Sequence, residues 1–132
     1  MPVLVVGAAI VRDGRLLTAR RTTPEEAAGR WELPGGKVEA GEDPADALVR
    51  EIAEELGCGV TVEAWLEGEQ PIGSTRVLRA ARCRLVDGEP RAASDHDRLR
   101  WLRPGELDDV DWLEPDRPFL PELRRVLLGS GA

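Results

Sequence analysis

The stretch GKVEAGEDPADALVREIAEELGC, Gly36 to Cys58, decides how this chain is read. Its centre carries the punctuation of a helix. Asp43 offers a side-chain oxygen to the free amides of a first turn, and Pro44 fixes φ at a position where no amide is needed. Gly57 stands where the chain must leave the helix. At about 100° per residue, Ala45, Leu48, Val49, Ile52 and Leu56 form one stripe that should face a core. Glu51, Glu54 and Glu55 fall on the adjoining arc.

Three carboxylates at i, i+3 and i+4 repel one another, at a cost of about 0.2 to 0.5 kcal/mol per pair. One reading is a solvated acidic face in which Arg50 relieves Glu54. The other is a site for a hard cation, since Mg²⁺ prefers carboxylate oxygens, keeps several waters and completes its shell with substrate phosphates. The helix alone does not choose between them. Ahead of it, Gly35-Gly36-Lys37 feeds a loop through Gly41 to Glu42, where small residues let backbone approach a ligand.

Gly36, five residues, Glu42, seven residues, Arg50-Glu51-Ile52, one residue, Glu54-Glu55, one residue and Gly57 together resemble the Nudix box. Only its last position departs, with Cys58 where the family favours an aliphatic residue. Trp31-Glu32-Leu33-Pro34 before the box and Arg100-Trp101-Leu102 late in the chain are similar to MutT-like enzymes. The resemblance implies an α/β/α sandwich with a mixed sheet. It further implies Mg²⁺, with Mn²⁺ as a substitute, bound by Glu51, Glu54, Glu55 and a backbone carbonyl of Gly35 or Gly36. Arg50 would orient the first glutamate, and Lys37 and Arg21 would lie near the phosphates. The reaction implied is water attack on the β-phosphorus of a nucleoside triphosphate, giving a monophosphate and pyrophosphate. MutT-like enzymes often carry a glutamate directly before the late tryptophan, and here that residue is Arg100. Asp95 and His96 are the nearest alternatives, against the ordinary reading of His96 as an inert surface residue.

The remaining chain supports an α/β class. Val3 to Val11 and Leu16 to Ala19 flank Asp13-Gly14, a hairpin signal. Arg20 to Arg30 reads as a loop, and Trp31 to Leu33 as a short strand stopped by Pro34-Gly35-Gly36. Further strands are expected over Val60 to Trp65, Arg76 to Leu85 and Leu99 to Leu102. A helical turn is expected at Pro104 to Leu107 and a terminal helix from Leu120 to Leu128. Mixed strands and helices imply layers of one domain over residues 1–132, with the strand order left open.

Composition narrows the partners. A chain of 132 residues buries a core without disulfides. A net charge of -7 disfavours polymeric nucleic acid and anionic membranes. Cys58 and Cys83 have no zinc-ligand spacing and His96 is the single histidine, so both read as free thiols in a reducing cytoplasm. The apolar run near the N-terminus is too short to span a bilayer. The expected partner is a small nucleoside triphosphate, and the oligomeric state stays open.

For the base, the absence of tyrosine sets aside the resemblance to diadenosine-polyphosphate hydrolases. Asp116 aligns with an asparagine that reads the base in oxidised-guanine enzymes. Asp109-Val110-Asp111-Trp112-Leu113 and Pro115-Asp116-Arg117 resemble the branch that cleaves CTP and dCTP. An ionised aspartate only accepts hydrogen bonds, which suits the cytosine amino group. CTP or dCTP is therefore expected first and 8-oxo-dGTP second. Asp116 could equally cap the terminal helix, while Leu33 and Trp112 could pack on the base or serve the core. A sensor that binds without cleaving would lack box glutamates, and here all are present.

Overall fold

In the computed structural model, which describes residues 2–93 and 95–130, β1 (Val3–Arg12) is covered on both faces. Val6, Ala8 and Ile10 pack with Leu48, Ile52 and Leu56 of α1 (Pro44–Leu56). Ala9 turns the other way, into a cluster with Leu123 and Leu127 of α2 (Leu120–Ser130). A strand buried on two sides reads as a continuous apolar run rather than an alternation, as Val3 to Val11 does.

β1 forms a hairpin with β2 (Arg15–Arg21) and runs parallel to β7 (Arg76–Asp87), which pairs antiparallel with β5 (Gly59–Trp65). On the far side β2 carries β3 (Trp31–Glu32) and β8 (His96–Leu102). Two short strands complete the sheet: β4 (Gly35–Lys37) pairs with β1, and β6 (Gln70–Ile72) with β7. The result is a mixed sheet with a helix on each face, the α/β class expected. No helix is long and apolar enough to cross a membrane.

The helix caps form as the sequence implies. The Asp43 carboxylate accepts from the amides of Ala45 at 3.0 Å and Asp46 at 3.3 Å. Gly57 closes the helix at φ 68°, a left-handed conformation that costs a side chain dearly. Leu48, Ile52 and Leu56 are fully buried or nearly so, each contributing about 1.5 to 3 kcal/mol. The stripe is rotated from the expected one: Val49 is exposed and Ala47 takes the buried place.

Other differences have the sheet as their cause. Gly35-Gly36-Lys37, expected as loop, is a strand, because β1 pairs with β2 only at Val11 and Arg12 and leaves its edge from Val5 to Gly7 open. A Cβ at Gly35 would collide with the Val6 backbone there. Arg20 and Arg21 prolong β2 instead of starting a loop, held by β8, which itself begins at His96 rather than Leu99. β6 is a further strand, not among those expected, and it accommodates Pro71 because it pairs with β7 alone. Tight helical turns at Pro104–Asp109 and Glu114–Phe119 lead into α2.

Candidate active site

A cleft of about 410 Å³ opens between the β4 strand and the turn before α2. Arg21, Glu32, Glu55 and Gly35 to Lys37 line one end, while Leu33, Leu113, Pro115 and Asp116 line the other. Elements remote in sequence meet here because β1 and β2 stand between them.

Arg50 organises the rim behind β4. Its Nε and Nη2 donate to the two Glu42 oxygens at 2.8 and 2.9 Å, and its Nη1 donates to Glu51 Oε1 at 2.9 Å. Nη2 also donates to the Lys37 carbonyl at 3.1 Å. This bidentate pairing pulls the Glu42 carboxyl down to about 2 and raises the Arg50 guanidinium further. Gly36 must be glycine, since a Cβ would occupy the space of the Glu51 carboxylate. Glu54 is 61% exposed and 3.5 Å from Arg50.

Glu55 lies deeper. Burial raises its carboxyl to about 7, partly countered by His96 and reinforced by Glu51 and Glu32. The His96 ring is fully buried, with Nε2 2.8 Å from Glu32 Oε2 and Nδ1 3.8 Å from Glu55 Oε2. Arg21 donates from Nη1 to Glu32 at 2.8 Å and from Nε to the Thr23 carbonyl at 2.6 Å. His96 is thus not the inert surface residue of the ordinary sequence reading. Glu32 has no role that its sequence context announces. Its one signal was its position before Leu33-Pro34, which does not reveal partners from three separate strands.

At the other end, Asp116 is 5% exposed and its Oδ2 accepts from the Leu33 amide at 2.8 Å. It does not cap α2: the carboxyl is spent on β3's exit, and burial pushes it up to about 8. At neutral pH the acid is therefore largely protonated, and the acceptor-only character expected of it belongs to the ionised form. Trp112 does not line the cleft; its ring is fully buried in the α2-side core and its Nε1 donates to the Leu107 carbonyl at 2.7 Å. Leu33 does line it, as do Arg21 and Lys37. Arg100 points elsewhere, 3.8 Å from Glu106 and 3.9 Å from Asp109. Asp95 reaches the cleft wall, accepting from the Thr23 hydroxyl at 3.2 Å.

The NUDIX domain profile matches residues 1–123. The chain belongs to the Nudix family. It is 49% identical, over 98% of its length and 93% of the relative's, to a Mycobacterium tuberculosis protein provisionally named 8-oxo-dGTP diphosphatase 2. It is 38% identical to the CTP pyrophosphohydrolase of Escherichia coli, over 88% of this chain and 87% of that one. The solution structure of the E. coli ORF135 protein superposes with a TM-score of 0.79 at 36% identity, covering 97% and 91%. The molecule is accordingly a Nudix nucleotide diphosphatase.

Nudix hydrolases generally use divalent metal ions, and the donor set here fits one. Glu51 and Glu55 are each 16% exposed, Glu51 fills the hollow at Gly36, and Glu55 lines the cleft. Among the described residues no three acidic, histidine or cysteine side chains close into a complete cage.

Proposed function

We propose that this Nudix enzyme hydrolyses a (deoxy)nucleoside triphosphate, preferably CTP or dCTP, to the monophosphate and pyrophosphate with Mg²⁺. The observation that carries the reading is one cleft with acidic residues and a glycine strand at one end and a single buried acid at the other. Glu51, Glu54 and Glu55, with the carbonyl of Gly35 or Gly36, would hold Mg²⁺ or Mn²⁺. Bound there, the ion supplies neutralising charge to the phosphate oxygens as pyrophosphate leaves.

The protein's own groups do the rest. Arg50 fixes Glu51 by a charge-assisted bond, so the carboxylate need not reorganise. Glu55, whose carboxyl burial raises to about 7 in the absence of a cation, lines the same end, and a cation bound there would hold it ionised beside the attacking water. Lys37 and Arg21 line the same end and supply positive charge to the triphosphate, Lys37 being the freer because Arg21 is committed to Glu32. Leu33 offers an apolar wall to the base. Asp116 reads the base edge through Oδ1, since Oδ2 is taken by Leu33. In its ionised form Oδ1 accepts from a cytosine amino group, and that bond itself favours ionisation.

A second reading, 8-oxo-dGTP, is favoured by the name of the 49% identical mycobacterial relative and by the neutral Asp116. With Oδ2 accepting from Leu33, the proton of the neutral acid sits on Oδ1 and can be donated to a carbonyl of the oxidised base. Release of pyrophosphate from ordinary and oxidised triphosphates, measured side by side, separates the readings. Oxygen from labelled water is expected in the pyrophosphate. Label confined to the monophosphate would move the attack to the α-phosphorus and end the proposed mechanism.

A further inference from the structure

We propose that His96 is a positioning residue: it holds Glu55 in the orientation that meets the divalent cation, while Glu32 and Arg21 lock its ring. The inference rests on the Mg²⁺-dependent reading above and adds a residue to which that reading gives no part.

The argument starts from two buried atoms without partners. Glu55 Oε2 and His96 Nδ1 each lack a hydrogen bond, and they face each other across 3.8 Å. A buried polar atom left unpaired costs roughly 1 to 3 kcal/mol, so two such atoms pointed at each other form one interaction that is not fully closed. The gap is too narrow for an intervening water; because Nε2 already donates to Glu32, a small rotation of the Glu55 side chain closes it when one proton lies between Nδ1 and Oε2.

The ring itself cannot turn away. Nε2 donates to Glu32 Oε2 at 2.8 Å, since a carboxylate there can only accept. The same oxygen accepts from Arg21 Nη1 at 2.8 Å, and Arg21 is anchored at Thr23. The sheet fixes the assembly from below: His96 pairs with Arg21 across β8 and β2, and Glu32 pairs with Ala19 across β3 and β2. Three strands thus carry a rigid chain of contacts to one carboxylate on α1. With Oε2 held by His96, Glu55 has Oε1 left for the cleft it lines. An apolar side chain would fill the position as well if packing were its whole purpose, and would avoid the cost of burying an imidazole.

The test measures Mn²⁺ binding to the whole protein by electron paramagnetic resonance, beside turnover. Histidine is replaced in two ways: His96→Gln puts an amide near Nε2 and loses the link to Glu55, while His96→Asn puts one near Nδ1 and keeps it. His96→Gln is expected to weaken Mn²⁺ binding and lower kcat by roughly 10-fold each, with nucleotide KM at saturating metal little changed. His96→Asn should recover most of the Mn²⁺ affinity. In a Glu55→Gln background the His96→Gln change should have almost no further effect on either readout, because the partner it acts through is gone.

Additive effects of Glu55→Gln and His96→Gln, or wild-type Mn²⁺ affinity in His96→Gln, would overturn the assignment. Should His96→Gln fail to fold by circular dichroism, the cycle runs with His96→Asn, whose small loss must likewise vanish beside Glu55→Gln. The two levels of the argument fail differently. A wild type that neither binds Mn²⁺ nor cleaves any triphosphate removes the proposed function and His96 with it. A wild type that does both, with an additive cycle, removes His96 alone.

Discussion

The two ends of the cleft each hold a carboxyl that burial raises, yet they are built by opposite means. Glu55, at about 7, sits among Glu51, Glu32, Arg21 and His96, whose charges pull it both ways. Asp116, at about 8, is raised first by burial and held back by the Leu33 amide, with Glu32 and Arg21 acting on it as lesser and opposed charges. The first environment can be retuned by adding a cation, because every neighbour is charged. The second responds first to a hydrogen bond, because after burial the Leu33 amide acts on it more strongly than the charges of Glu32 and Arg21 do. On the proposed reading the first end does the chemistry and the second chooses the base.

The largest expected effect breaks the first end. Glu54→Gln and Glu55→Gln should each lower Mg²⁺-dependent turnover by roughly 10²-fold or more, since an amide packs like the acid but binds a hard cation poorly. Circular dichroism should stay unchanged. Asp116→Ala, by contrast, should leave turnover of the best triphosphate far less affected than its selectivity. Near-normal turnover in both glutamine variants would remove the cation site from α1.

How much of this was readable follows the same division. The caps Asp43, Pro44 and Gly57, and the carboxylates of α1, lie within one continuous segment whose periodicity and spacing speak directly. Glu32 and His96 did not, because their link crosses three strands and depends on a register that no local pattern encodes. The β4 strand was hidden for a related reason: glycines signal a break until an open strand edge recruits them. Asp116 was picked out as a site residue, but its protonation and its bond to Leu33 are products of burial, which only the folded core supplies. Trp112 was left open between base and core because a tryptophan looks the same in sequence whether it faces a ligand or a core.

A smaller effect sharpens the second end. Asp116→Asn keeps the acceptor for Leu33 but replaces the other oxygen by an amide donor, so above pH of about 8, where the wild-type Oδ1 accepts, the ratio of kcat/KM for CTP over 8-oxo-dGTP should fall by roughly 10-fold or more. The wild-type ratio should also rise with pH through about 8, as Oδ1 changes from donor to acceptor, while the variant's ratio should not. Identical selectivity profiles for the two proteins across the candidate triphosphates above pH of about 8 would take Asp116 out of the base pocket.

The smallest expected effect is on stability, and it tests the environment of Asp116 without any substrate. The group binds its proton near pH 8 when folded but near its ordinary 3.8 when unfolded, so between those values the native state holds the extra proton. Rising pH therefore weakens folding: the contribution is fully present below about 4 and is lost as pH passes through about 8. Asp116→Asn carries no such proton and retains the acceptor for the Leu33 amide. Its stability relative to the wild type should thus improve from pH 5 to about pH 8 and level off above it, read as urea midpoints or as Tm. Glu55 pushes both proteins in the same direction with its own value of about 7, so each curve slopes downward and the difference between them isolates Asp116. Glu42, held near 2 by Arg50, acts only in acid and with the opposite sign, losing its contribution as pH falls below about 4. Parallel curves across the whole range would mean that Asp116 titrates as an ordinary carboxylate, that water reaches it, and that the two ends of the cleft differ less than their burial implies.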